Sequence, residues 1–145
     1  PEIPANTGNI SRTCSCTGIT LHLVRPLGFS TDDKQLKRAG LDYWHLLDLH
    51  YHDSFQDLRD KYPQGRFFFA TTKAEKSYTD FAYGPDDFFV FGRETRGLPD
   101  ELIEANSETA IRIPILQDAR SLNLSNAVAV VVFEALRQQG FPNLI

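Results

Sequence analysis

The sequence predicts an α/β fold in which a mostly parallel sheet is covered by helices on both faces. Three observations carry that expectation. Short β-rich runs alternate with helix-like segments along the chain. The strand-like runs at residues 66–71 (RFFFAT) and 88–91 (FFVF) are apolar at successive positions, as strands buried on both faces are. Loops bearing Gly, Ser, Asn or charge then leave strand ends at residues 71–73, 92–98 and 116–123. Ligands in open α/β sheets sit at the carboxyl ends of strands, so three such loops predict a pocket.

Taken in order, residues 1–5 (PEIPA) read as an extended loop, with two prolines in four positions. The run NTGNISR at residues 6–12 opens a helix that Asn6 or Thr7 can cap and Gly18 ends. Gly8 in its first turn costs about 1 kcal/mol against Ala, which leaves a close backbone approach and simple drift both open. Arg12 falls near the second turn, as a solvated charge or a functional one. Residues 19–24 (ITLHLV) alternate as a strand with His22 half-buried, and residues 25–28 turn. Residues 32–38 form a short helix carrying Lys34, Lys37 and Arg38, the densest basic cluster. It is either a solvated face or a phosphate-contacting patch.

A strand is expected over residues 44–49, followed by His50 and His52. No third ligand stands at a suitable spacing, so no metal site is expected there. Residues 53–62 give an amphipathic helix with Phe55, Leu58 and Tyr62 on one face. After the strand at 66–71 comes a polar excursion over residues 72–83, then the strand at 88–91. Pro99 starts a short helix that runs through Asn106.

The stretch from Ile111 to Gly140 holds the most information. A strand over residues 110–115 leads through a loop into Ser121-Leu122-Asn123-Leu124-Ser125-Asn126. Four capping-type residues in six positions exceed what one helix start needs, and the surplus points to a site. In the helix that follows, Leu124, Ala127, Val128, Val131 and Ala135 form one apolar stripe. Val130, Phe133 and Leu136 form a second, and Gly140 with Pro142 gives the stop. A helix apolar on most of its circumference needs cover on more than one side, and a second copy of the chain is the expected cover.

At 145 residues the chain is expected to be one domain, spanning 1–145. It is 41% hydrophobic and 23% charged, and no apolar run approaches the ~18 residues of a membrane span. A net charge of −4 argues against a general polyanion binder while leaving room for a local basic patch. Cys14 and Cys16 are the only cysteines, and C-x-C on a helix suits neither a disulfide nor a four-ligand metal site. A cytoplasmic, reduced setting is expected.

The loops lack a G-x-S-x-G elbow, a Walker-type phosphate loop and a G-x-G-x-x-G dinucleotide loop. Backbone groups, small polar side chains and one nearby carboxylate suit a nucleoside-like cofactor with a cationic centre. Three motifs stand in order: NTGNISR at residues 6–12, FGRETRGL at 91–98, and IP at 113–114 continuing to SLNLSNA at 121–127. Together they resemble the SPOUT superfamily of trefoil-knotted, S-adenosylmethionine-dependent RNA methyltransferases. The PEIPxNTGNI start and the FGxETRGLP motif are most similar to the bacterial tRNA (cytidine/uridine-34-2′-O)-methyltransferases, over essentially the whole chain.

The resemblance implies a C-terminal trefoil knot, which periodicity does not show. It implies S-adenosylmethionine as cofactor, with S-adenosylhomocysteine as product, held by Ala70, Thr71, Gly92, Glu94, Ile113, Ser121, Leu122 and Asn123. Arg12 and Asn6 are the implied catalytic residues facing the RNA ribose. Lys34, Lys37, Arg38, Arg93 and Arg96 are the candidates for RNA backbone contacts. The partners implied are a tRNA anticodon stem-loop and a second copy of the chain. Members of the family begin with a β-strand ahead of the PEIP stretch, so a first strand is expected before Pro1. Alternatives to wobble-nucleotide methylation are another tRNA or rRNA position, a non-catalytic cofactor- or RNA-binding module, and an unknotted α/β enzyme of small-molecule metabolism.

Overall fold

The computed structural model describes residues 1–29 and 45–145. Lys34, Lys37, Arg38 and the helix expected around them lie outside the described residues. Contacts group the chain into two compact units, Pro1–Gln64 and Gly65–Ile145.

The first unit opens with α1, Pro4–Thr17. Proline at the first helical position loses nothing, because its missing N–H would have had no partner there. Ile3 is the N-cap, in extended conformation and with no side-chain cap. Its carbonyl accepts from the N–H groups of Asn6 and Thr7 at 3.1 and 3.3 Å. The cap therefore stands three or four residues before the expected Asn6 or Thr7, and Asn6, Thr7 and Gly8 lie inside the helix, buried. Further along, the buried serine hydroxyls are satisfied within the helix: Ser11 Oγ donates to Thr7 O at 2.7 Å and Ser15 Oγ to Ser11 O at 2.8 Å. Gly18 ends the helix as expected, at φ 73°, and its N–H returns to Cys14 O.

Strands β1 (Leu21–Val24) and β2 (Leu49–His52) pair in parallel, with Leu21 opposite Leu49 and His22 opposite His50. The strand expected over residues 44–49 thus begins five positions later; His45 and Leu46 form a 3₁₀ turn instead. Alternation explains the shift. Leu49 and Tyr51 face one way and His50 and His52 the other, the period of 2 that a paired strand requires. Helix α2 spans Phe55–Lys61, with the Ser54 hydroxyl accepting from Asp57 N–H at 3.0 Å. Asp57 in its first turn and Lys61 in its last complement the helix dipole, and Leu58 is buried while Phe55 and Tyr62 are half-buried.

The second unit is built on β3 (Phe67–Ala70), β4 (Phe88–Phe91) and β5 (Ala110–Ile111), parallel throughout and ordered β4-β3-β5. Central β3 buries Phe67, Phe68 and Phe69. β4, expected to be buried, is half-buried along its length because it is an edge strand of this sheet. β5 is shorter than the expected 110–115. Beyond Ile111 the ladder passes to the 76–78 segment: Arg112 N donates to Lys76 O at 2.9 Å and Tyr78 N to Arg112 O at 2.8 Å. Pro114, without an N–H, cannot extend a ladder.

Helix α3, Asp100–Ala105, follows Pro99, and α4 spans Leu124–Gln138. α4 brings Val131 and Ala135 to a core with Phe68, Tyr83 and Ile111. The same helix anchors the 72–83 excursion, since Gln138 accepts from Tyr83 N at 2.8 Å and donates to Phe81 O at 3.0 Å. Burial, followed by the nearby carboxylates of Glu134, Asp80 and Asp87, pushes the Tyr83 phenol up to about 12, so it stays neutral and donates to Tyr78 O. Among the described residues no helix is long and apolar enough to cross a membrane.

Candidate active site

Because β3, β4 and β5 run parallel, their carboxyl ends share one edge of the sheet, and the three predicted loops leave from it. Ala70 and Thr71 close β3, and Thr71 N donates to Ile111 O at 2.9 Å, tying that exit to the end of β5. The Thr71 hydroxyl accepts from Lys73 N at 3.1 Å and fixes the first loop's turn. β4 leads directly into Gly92. The loop after it folds back sharply, with Gly97 N donating to Arg93 O at 2.8 Å and Gly97 at φ 67°. Gly92 lies against the backbone of Gly97 and Leu98 with no room for a Cβ. Glu94 in this loop and Ile113 beyond β5 are half-buried.

The third loop ends on Asn123, the N-cap of α4. Its Oδ1 accepts from Ser125 N at 2.9 Å, Asn126 N at 3.3 Å and Ser125 Oγ at 2.6 Å. Of the four capping-type residues in the SLNLSN run, Asn123 makes the cap and Ser125 reinforces it. Three donors on one oxygen settle which way the amide is turned, since the opposite orientation would set its NH₂ against all three. The amide NH₂ is therefore directed away from the helix end. Ser121 and Asn123 are exposed, as is Leu122 at 40%, an apolar side chain placed on a loop surface.

The two catalytic candidates lie in the first unit, on α1. Asn6 is buried and Arg12 is exposed. Six residues along an α-helix turn through about 600°, so the two side chains leave α1 about 120° apart. Arg93 and Arg96 are exposed on the second loop. Two contacts were not singled out from the sequence. Lys73 pairs with Asp100 at the start of α3, linking the first loop to that helix. The Ser125 hydroxyl serves Asn123, and its only sequence signal was the excess of polar residues around it. Among the described residues no group of three or more His, Cys, Asp or Glu could hold a metal ion.

The chain as a whole is similar to known proteins. A relative from Bacillus subtilis (strain 168) is 57% identical over 147 residues, spanning 99% of this chain and 92% of its own length. The tRNA (cytidine(34)-2'-O)-methyltransferase of Escherichia coli (strain K12) is 47% identical over 146 residues, spanning 100% of this chain and 93% of its own length. A solved structure concerned with 2-OH methylation of C/U34 on tRNA matches with a TM-score of 0.92 at 44% identity, over 97% of this chain and 91% of that one. The model of the SpoU rRNA Methylase family matches residues 1–133. With its strands paired in parallel and the family model matched over residues 1–133, the chain belongs to the SpoU rRNA Methylase family.

Proposed function

We propose that this protein transfers a methyl group from S-adenosylmethionine to the ribose 2′-oxygen of nucleotide 34, the wobble position, of tRNA. The observation that carries the reading is the shared carboxyl edge of β3, β4 and β5, from which three loops leave, two of them bearing motifs, together with close relatives named for this reaction.

The side chains at that edge fit a nucleoside bearing a sulfonium. Ile113 and Leu122 offer apolar surface to a base, the Thr71 hydroxyl and the Asn123 amide offer hydrogen bonds, and Glu94 offers a carboxylate to a cation. Ala70 and Ser121 are small enough for a ligand to approach the backbone closely, and Gly92 holds the fold of the second loop. When bound, S-adenosylmethionine supplies a methyl group already activated by its positive sulfur. The work left to the protein is alignment of the 2′-oxygen with that methyl group and help with loss of the hydroxyl proton.

Arg12 is assigned to the RNA side. A guanidinium with pKa above about 12 makes a poor base, so its role is to stabilise the developing alkoxide or hold a phosphate. Asn6 is assigned to positioning near the ribose. Arg93 and Arg96, with Lys34, Lys37 and Arg38, are assigned to the RNA backbone of the anticodon stem-loop, where contacts position without reading sequence. The protein works as a homodimer in the cytoplasm, with the C-terminal segment threaded through a loop as a trefoil knot. Support for the dimer comes from Phe133, a large apolar side chain left 47% exposed on α4.

Methyl transfer from radiolabelled S-adenosylmethionine to unmodified tRNA and to protein-free rRNA tests the reading. Label in tRNA is expected. Label in rRNA alone, a substrate the family's description also allows, would overturn the tRNA assignment.

A further inference from the structure

Within the first unit, three histidines share one face of the β1–β2 pair. His22 Nδ1 lies 2.9 Å from His52 Nε2, and the His22 ring stacks on His50 at 5.2 Å. His50 Nε2 is 2.8 Å from Asp48 Oδ1, and Asp48 in turn accepts from Thr20 Oγ1 at 2.9 Å. The Tyr62 ring, at the end of α2, meets His22 edge-on at 5.4 Å. His52 is 3% exposed, and its Nδ1 is buried with no hydrogen-bond partner among the described residues.

That lone nitrogen decides the protonation of the pair. A neutral imidazole carries one N–H, and the 2.9 Å contact needs one donor and one acceptor. If His22 Nδ1–H donated, His52 Nε2 would be the acceptor and the proton of His52 would sit on Nδ1. That would bury an unsatisfied N–H, the costlier of the two orphans. The other arrangement places the His52 proton on Nε2, donating to His22 Nδ1, and leaves His22 protonated on its own Nε2. An added proton breaks this economy. Wherever it is shared across the contact, one N–H must come to rest on the buried His52 Nδ1, unless the two rings part.

We propose that His22 and His52 form a tautomer-locked neutral pair that fastens β1 to β2 and releases on proton uptake, a proton-controlled latch within the first unit. The surrounding groups act in the same direction. Burial, then the neighbouring His52 and His50, pull His22 down to about 4, against the opposing pull of Asp48. Burial also lowers His52, followed by Lys61, His50 and Arg25, with Asp57 opposing. Folded pKa values below the ordinary value of about 6.5 mean that the unfolded chain binds protons first. Stability is therefore full above pH about 6.5 and falls as the pH drops from there toward 4.

Nitrogen-detected NMR of the full chain between pH 7.5 and 4.5 tests the latch. At pH 7.5 both rings should be neutral with the proton on Nε2, and both should titrate below the ordinary histidine value of about 6.5. His52→Gln, whose amide can donate to His22 without titrating, should lower the dependence of thermal stability on pH between 6.5 and 5. A proton on His52 Nδ1 at pH 7.5, either ring titrating at or above the ordinary value of about 6.5, or an unchanged pH dependence in a folded His52→Gln protein would overturn the proposal. Should that variant fail to fold, the wild-type titration decides alone.

Discussion

A Cβ on Gly92 would lie 2.1 Å from the carbonyl carbon of Gly97 and 2.2 Å from the amide nitrogen of Leu98. Both are backbone atoms, so no side-chain rotation relieves the clash. Gly92 is thus required by the fold of its own loop, before any question of a ligand. Gly92→Ala should force the 92–98 loop open, at a cost of about 1–3 kcal/mol, and weaken S-adenosylhomocysteine binding at least tenfold. Gly84→Ala is the control, since its nearest atom would be 3.9 Å away, and it should bind like wild type. Calorimetry on the two variants checks the contrast; equal binding would show that the loop yields without consequence.

On α4, Val131 is fully buried while Phe133, two residues on, is 47% exposed. Val131→Lys should unfold the protein by burying an unpaired charge. Phe133→Lys should leave a folded, soluble monomer if a second copy covers this face. Sedimentation at micromolar concentration checks both, and a wild-type mass of one chain would remove the dimer.

Much of this architecture was legible in the sequence, for reasons that differ between elements. Two-sided apolar runs such as 66–71 announce a buried strand, and β3 is one. The stop at Gly18 and the cap at Asn123 follow from local chemistry that needs no tertiary partner. The start of α1 was missed because Asn6 and Thr7 look like caps, whereas burial drew them inside the helix and Pro4 took the first position. β2 was misplaced because residues 44–49 carry the apolar run, while pairing with β1 selects Leu49–His52. Half-burial of β4 depends on sheet order, which no single segment encodes. For the site, the three loops were visible as departures from apolar patterning. The hydroxyl of Ser125 on Asn123 was not, since it depends on how the helix start is folded.

Ser125→Ala removes one of three donors on Asn123 Oδ1 and keeps both backbone donors of the cap. The helix start should hold, while the Asn123 amide loses part of its fixed orientation. Asn123→Ala loses the cap as well, about 1 kcal/mol of stability. S-adenosylhomocysteine affinity should fall in both variants, with Ser125→Ala adding nothing in an Asn123→Ala background because the two act through one group. A full additive loss in the double variant would separate them.

Arg12→Ala should leave cofactor affinity within a few-fold, while methyl transfer to tRNA falls by roughly 10²–10⁴. Arg12→Lys keeps the charge without the planar fork and should rescue only part of the rate. Single-turnover assays at saturating tRNA separate slow chemistry from weak RNA binding. A wild-type rate for Arg12→Ala under those conditions would make Arg12 a solvated surface charge.

The most direct measurement is the position of the methyl group itself. Unmodified tRNA incubated with the protein and S-adenosylmethionine, then mapped nucleotide by nucleotide for 2′-O-methylation, should carry one new methyl group, on the ribose of nucleotide 34. A methyl group on a base, on a different ribose, or on none of the tRNA nucleotides would contradict the account.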